Sequence, residues 1–219
     1  MATPVATHPR AQAGPAEERR AVVEAARAVF ARDGWLHTSL EDVATAAGLD
    51  ADAVAHYFKD KEQLLLSVLL DSAASLSAAL TVVAESHLAE ITDLEQDLVA
   101  LGLDWLSPLA TYPEHFAIVR HLQAEAARVP AGVLEMWQTA GPRQAQRELA
   151  RRLERVAERG LLDIPDADHA AGRFVQLVAG GVVGRSFHGA LPLAEYETEQ
   201  LVRAGVADFI HLFRPGADR

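Results

Sequence analysis

Two short helical segments with their own start and stop signals lie within residues 38–61 and constrain the fold more than any other feature. Thr38, with an acidic residue three positions later, has the form of a capping box and predicts the start of a helix that Gly48 ends. Asp50 predicts the N-cap of a helix of about two turns, and Asp60 predicts the N-cap of the helix after it. This order of caps and stops predicts a helix-turn-helix.

Longer amphipathic helices are predicted on both sides of this segment. Upstream, apolar residues recur at helical spacing from Val22 to Phe30, before a stop at Gly34. Downstream, the helix that begins at Lys61 is predicted to run to about Ala84 and to join two domains.

The remaining sequence is rich in Ala, Leu, Arg and Glu, which are good helix formers, and prolines separate its segments. The predicted fold class is therefore all-α, with an N-terminal three-helix helix-turn-helix domain and a larger helical C-terminal domain. The predicted organisation is a disordered tail over 1–16, the helix-turn-helix domain over 17–64 and the C-terminal domain over 65–219. Further helices are predicted at 91–107, 112–128, 131–140, 142–159, 166–189 and 193–213.

Charge and composition exclude several classes of function. The chain has no cysteine, which excludes disulfides and thiolate metal sites, and none of its nine histidines has a second histidine four residues away. No metal site, cofactor or catalytic residue is therefore predicted. The first twenty residues lack the apolar region of a signal peptide and no stretch approaches a membrane span, so we expect a cytoplasmic protein without a membrane partner. A net charge of −11 argues against non-specific binding to nucleic acid.

Residues 20–66 resemble the DNA-binding domain of TetR-family transcriptional regulators. The resemblance rests on identity and spacing together, at Ala25 or Ala26, Phe30, Gly34, Thr38, Val43, Ala44, Gly48, Phe58, Lys61, Glu62 and Leu64. Residues 112–162 are similar to the C-terminal domain of the AefR-like subgroup. The resemblance implies a homodimer that binds a palindromic double-stranded DNA operator. It also implies that the C-terminal domain binds a small-molecule effector, which releases the protein from the operator. Repression is the usual mode of action in this family.

The resemblance also implies which residues contact DNA, because the third helix of this family enters the major groove. The implied contacts are Ala51, Asp52, Ala53, His56 and Tyr57, with Thr38 and Lys61 at positions that hold phosphates. The chain departs from the family where Asp52 replaces a usual glycine and Ala55 a usual tyrosine. Residues 17–64 carry six basic and ten acidic residues. Either these acids lie on caps and solvent faces away from DNA, or operator binding is weak.

Ligand sites in helical domains lie between helices and are mostly apolar, with a few polar groups. The candidates for such a site are Trp105, His115, Phe116, Val119, Arg120, Gln123, Met136, Trp137, Phe174 and Gln176. For each of them the alternative is a place in the core or on the surface. Arg120, near two histidines, either holds an anionic ligand or pairs with a neighbouring glutamate.

The last two predicted helices carry the residues expected at a dimer interface. Three glycines make one helix smooth enough for close approach, and valines beside them supply apolar contact. These candidates are Val175, Val178, Gly180, Gly181, Val182 and Gly184. An alternative to the regulator is a TetR-like scaffold that has lost DNA binding and acts as a small-molecule-binding protein or an enzyme, because the groove face is acidic.

Overall fold

The computed structural model describes residues 14–216, and within that range all regular structure is helical. The prediction of an all-α fold is confirmed. The helices are α1 (Pro15–Asp33), α2 (Leu40–Ala47), α3 (Ala51–Tyr57), α4 (Lys61–Leu88), α5 (Leu94–Leu106), α6 (Pro108–Thr111), α7 (Pro113–Ala124), α8 (Ala131–Ala140), α9 (Pro142–Glu158), α10 (Ala167–Phe174), α11 (Gly180–Arg185) and α12 (Glu195–Leu212). Most of the predicted tail, residues 1–13, lies outside the described residues, whereas Pro15 already belongs to α1.

The N-cap of α2 differs from the sequence prediction. The cap is Ser39, whose hydroxyl accepts from the backbone N–H of Asp42 at 3.1 Å, while the Asp42 carboxylate accepts from the N–H of Ser39 at 2.8 Å. Thr38 was the wrong choice because its buried hydroxyl donates to the Gly34 carbonyl at 2.8 Å instead.

Two of the predicted C-terminal helices are interrupted. The helix expected over 112–128 ends at Ala124 and continues as a 3₁₀ turn, Ala126–Arg128. The helix expected over 166–189 contains a π-helical segment, Val175–Ala179, and ends at Arg185. Such a segment leaves some backbone groups out of the α-helical ladder and often adjoins functional sites.

The first of two hydrophobic cores lies between α1, α2, α3 and the first half of α4. Phe30, Val54 and Phe58 are fully buried in it. Residues of α7 and α8, among them Ile118 and Trp137, belong to the same core. The first core therefore also contains residues of the predicted C-terminal domain.

The second core lies between the last turns of α4 and the helices α5 and α9 to α12. It is closely packed at Gly102, where an added Cβ would lie 2.5 Å from a methyl group of Val178 and 2.8 Å from one of Val202. The phenyl rings of Phe174 and Phe209 meet edge to face, with ring centroids 5.2 Å apart.

By length and composition alone, helix α4 is long and apolar enough to cross a membrane. No membrane-spanning helix was expected from the sequence. The same test is passed by core helices of proteins that never enter a membrane. In this structure Leu64, Leu65 and Leu69 of α4 are fully buried in the first core, and Ala84 is fully buried in the second. Packing within the chain therefore accounts for part of the apolar composition of α4.

Gly205 permits the closest helix contact in the second core. A Cβ built on this residue would overlap the backbone carbonyl of Leu177 and would lie 3.0 Å from the Cα of Val178. Since both neighbours are backbone atoms of the π segment, no side-chain rotation can make room.

Replacing Gly205 with alanine is therefore expected to destabilise the protein by about 2 kcal/mol or more, because α12 must move away from the π segment. Gly132→Ala in α8 is the matched control, because nothing lies within 4 Å of its added Cβ. Urea unfolding followed by circular dichroism, at one protein concentration for both variants, measures the difference. Equal stability of the two variants would refute the close packing at Gly205.

Candidate DNA-binding surface and ligand cavity

Helices α2 and α3 are joined by a tight turn at Gly48. This glycine has φ +69° and ψ +32°, a left-handed conformation that side chains with a Cβ rarely adopt. Its N–H and that of Leu49 both donate to the carbonyl of Ala44, which ends α2. The turn sets the angle between the two helices, and the buried Val54 holds α3 against the core.

One face of α3 is open to solvent. Ala51, Asp52, Ala55 and His56 are exposed, whereas Ala53 is half-buried. Three of the predicted DNA contacts, Ala51, Asp52 and His56, thus share an exposed surface with Ala55. The opposite side of the helix packs against the core. A short helix presented in this way has the shape of a major-groove reader.

Tyr57, also a predicted DNA contact, is engaged within the domain. Its half-buried hydroxyl donates to Glu18 of α1 at 2.8 Å, and this hydrogen bond raises the pKa of the phenol above its ordinary value. The His56 ring lies edge-on to the Tyr57 ring, with centroids 5.1 Å apart. Glu18 therefore orients the end of α3, a role the sequence did not reveal because the two residues are 39 positions apart.

The two predicted phosphate contacts are turned toward the protein. Thr38 is buried, and its hydroxyl donates a hydrogen bond to the backbone carbonyl of Gly34. The ammonium group of Lys61 donates to the carbonyls of Leu36 at 3.3 Å and Thr38 at 2.7 Å, and lies 5.0 Å from the centroid of the Trp35 ring. Burial lowers the pKa of Lys61. In this structure Lys61 ties the start of α4 to the loop before α2.

The acidic residues of the N-terminal region fall into two groups. Several serve local structure, since Asp42 and Asp60 accept from backbone N–H groups at the starts of α2 and α4 and Asp33 pairs with Arg32. Hydrogen bonds from Ser39 lower the pKa of Asp42. Asp52, by contrast, is exposed on α3 and makes no hydrogen bond to the described residues.

An apolar cavity of about 230 Å³ lies in the C-terminal half of the chain. It is open on one side, and residues from α4, α5, α6, α7, α9, α11 and the π segment line it. The aromatic part of its wall is Trp105 and Phe116, the proline part is Pro108 and Pro142, and its polar side chains are Ser77 and Gln146.

Two of the ten predicted ligand residues, Trp105 and Phe116, line this cavity. Four others are buried in the cores, namely His115, Val119, Trp137 and Phe174. Gln123, Met136 and Gln176 are exposed on the surface. These seven residues lie outside the cavity wall because the helices turn them toward neighbouring side chains or solvent.

Arg120 also lies outside the cavity. Its guanidinium donates to the backbone carbonyl of His188 at 2.8 Å. His188 and its neighbour Phe187 both have positive φ, at 52° and 48°, which is rare for residues with a Cβ. Burial, followed by the charge of Arg120, lowers the pKa of His188. Arg120 therefore fixes a strained turn after α11 and does not present its charge to the cavity.

The predicted dimer residues divide into two sets. Val178 and Val182 are buried within the chain, and Val175 lines the cavity. These valines therefore pack within one subunit. The three glycines Gly180, Gly181 and Gly184 are exposed. A Cβ on Gly180 or Gly184 would meet nothing within 4 Å.

His115, Ser72 and Trp137 form a buried polar cluster between α7, α4 and α8. The Ser72 hydroxyl donates to the Val68 carbonyl at 3.1 Å and is hydrogen-bonded to Nδ1 of His115 at 2.9 Å. Burial lowers the pKa of His115 to about 4. The indole N–H of Trp137 is buried without a partner among the described residues.

Metal ligands are not grouped in the described range. Among residues 14–216 no three histidine, aspartate or glutamate side chains lie close enough together to hold a metal ion.

Two stretches of the sequence match known families. Residues 22–68 match the family described as bacterial regulatory proteins, tetR family, and residues 96–215 match the AefR-like transcriptional repressor, C-terminal domain. The second match alone spans more than half of the chain. The chain therefore belongs to the TetR family of DNA-binding transcriptional regulators, with an AefR-like C-terminal domain. Regulators of this family are not enzymes, which removes the enzyme alternative.

Individual relatives agree with this family. The HTH-type transcriptional repressor AcnR of Corynebacterium efficiens is 30% identical over 106 residues, which are 46% of this chain and 55% of that repressor. AcnR of Corynebacterium glutamicum is 32% identical over 77 residues, which are 35% of this chain and 39% of that repressor. The chain thus spans about half or less of the curated relatives it matches.

Two solved structures share the whole fold. A TetR-family transcriptional regulator from Mesorhizobium loti superposes with a TM-score of 0.80 and 25% identity, over 92% of this chain and 99% of that one. The flavonoid-responsive regulator FrrA superposes with a TM-score of 0.73 and 28% identity, over 92% of this chain and 100% of that one.

The buried His115 predicts a pH dependence of stability. Its pKa is about 4 in the folded protein against 6.5 for an ordinary histidine, so between these values the unfolded chain binds a proton that the folded chain excludes. The free energy of unfolding should then fall as pH falls, by about 1.4 kcal/mol per pH unit from this residue. Urea unfolding at pH 6.5, 5.5 and 4.5 measures the slope.

His115→Asn keeps a polar side chain that can hydrogen-bond to Ser72 but does not titrate, so it should lose this part of the slope. His169→Asn, at an exposed position of α10, should retain the slope of the unaltered protein. The assignment fails if His115→Asn unfolds with the same pH dependence as His169→Asn.

Proposed function

We propose that the protein is a cytoplasmic, homodimeric repressor that binds a palindromic operator through α3 and leaves it when a small molecule occupies the cavity. The observation that carries the proposal is the arrangement of α3. Val54 and Phe58 fix one side of this helix to the core, while Ala51, Asp52, Ala55 and His56 are free on the other. The same fold in a flavonoid-responsive regulator supports control by a small molecule.

The proposed dimer forms through α11, α12 and the turn between them. This region contains exposed glycines, and its large apolar residues Phe187, Leu191 and Tyr196 are each more than 60% exposed. Apolar side chains grouped in this way are typical of an interface. A two-fold axis through it would present both copies of α3 to one side of a DNA duplex, about 34–36 Å apart.

Negative charge on α3 sets the expected strength and preference of DNA binding. Since Asp42 and Asp60 cap helices and Glu18 holds Tyr57, fewer carboxylates face the groove than the sequence total suggests. Asp52 remains, and a carboxylate in the major groove accepts best from the amino group of cytosine. We therefore propose an operator with cytosine at this contact.

The cavity is linked to α4 by direct contact. Gly141, in the cavity wall, packs so closely on α4 that an added Cβ would lie 3.0 Å from the Cβ of Ala73. A ligand that displaces the start of α9 would move α4, and α3 with it. Such a ligand releases the operator only if it binds the DNA-free arrangement more tightly.

A gel-shift titration of the DNA upstream of the protein's own gene, at low and at physiological salt, tests DNA binding. The protein should shift this fragment and not an unrelated one of equal length. His56→Ala should weaken binding about tenfold, in line with the loss of one base contact worth ~1–3 kcal/mol. The same substitution at His169, exposed on α10, serves as the matched control and should have no effect.

No shift at low salt by the folded protein would contradict the proposal. It would favour the alternative of a TetR-like scaffold that binds small molecules without DNA. Equal loss of binding in His56→Ala and His169→Ala would contradict the assignment of α3 as the reading helix.

A further inference from the structure

The cavity wall carries no charged side chain. Its polar side chains are a hydroxyl and an amide, from Ser77 and Gln146, and two of its other residues are prolines that have no backbone N–H. A carboxylate or ammonium group moved from water into such a place loses its hydration without gaining a partner of opposite charge. The cavity therefore disfavours ions.

Ser77 is the first sign of a specific ligand group. The residue is only 6% exposed, and its hydroxyl makes no hydrogen bond to any residue in the range 14–216, whereas the buried Ser72 on the same helix is fully bonded. The Ser77 hydroxyl borders the cavity. The hydroxyl is therefore available to a molecule that enters the cavity, and it can both donate and accept a hydrogen bond.

Gln146 supplies a second polar atom. Its amide nitrogen donates to the carbonyl of Asp168 at 3.1 Å, which fixes the orientation of the amide group. The amide oxygen then remains as an acceptor, and no residue of the described range donates to it. A ligand that accepts from the Ser77 hydroxyl and donates to the Gln146 amide oxygen needs both functions in one group, which a hydroxyl provides and a ketone or ether does not.

We infer that the effector is an uncharged ring compound bearing a hydroxyl group, such as a phenol, whose hydroxyl binds Ser77 and Gln146. Its apolar ring lies against Trp105 and Phe116, since aromatic side chains bury large flat surfaces and stack favourably. This inference rests on the proposed function, because it names the class of molecule that occupies the cavity of the regulator.

The test compares 2-naphthol, naphthalene and 2-naphthoate, which share one ring system, with the full-length protein at pH 7.5 by equilibrium dialysis. The neutral phenol should bind one site per chain, at least tenfold more tightly than the carboxylate. Ser77→Ala should weaken 2-naphthol about fivefold, as expected for one neutral hydrogen bond, and leave naphthalene unchanged. Ser75→Ala is the matched control, because Ser75 is an exposed residue of α4 outside the cavity.

Three results would overturn the inference: no binding of 2-naphthol up to its solubility, binding of 2-naphthoate as tight as that of 2-naphthol, or Ser77→Ala behaving like Ser75→Ala. A gel shift with the same compounds separates this inference from the proposed function. If 2-naphthol binds through Ser77 without changing the shift, the ligand class stands and ligand-controlled release fails. If 2-naphthoate instead binds and releases DNA, the regulator stands and the ligand class fails.

Discussion

Helix α4 is the element on which the rest of the structure depends, because two separate cores are built on it. Its first turns place Leu64, Leu65 and Leu69 under the helix-turn-helix, and its last turns place Ala84 and Leu88 in the C-terminal core. A rigid helix shared in this way transmits any tilt from one core to the other. The position of α3 relative to the C-terminal helices is therefore set by how α4 packs.

Three contacts between α4 and the C-terminal half lie in the middle turns of this helix. Ser72 binds His115, Ala73 meets Gly141, and Ser77 borders the cavity, all within two turns. This arrangement places the ligand cavity where a small displacement acts on α4 directly. The physical condition for control of DNA binding remains a difference in ligand affinity between two arrangements, and proximity alone does not provide it.

Local sequence signals predicted most helix limits of the DNA-binding half. The residues that line the cavity could not be predicted in this way, because they come from helices far apart in the sequence. Gly48 and Asp60 act within a few residues of themselves, so the C-terminal end of α2 and the start of α4 could be read directly. Ser77 was missed because a small polar residue on an apolar helix gives no sign that it faces a void. Arg120 was misleading because its partner, the carbonyl of His188, lies 68 residues away.

The central claim is that a symmetric partner holds two copies of α3 in register with a DNA duplex. The chain has no cysteine, so Ala55→Cys introduces a single site for a spin label on the exposed face of each α3. Pulsed electron paramagnetic resonance of the labelled protein without ligand should give one distance population, compatible with recognition helices about 34–36 Å apart. The absence of coupling between labels, or a broad spread of distances, would contradict the account.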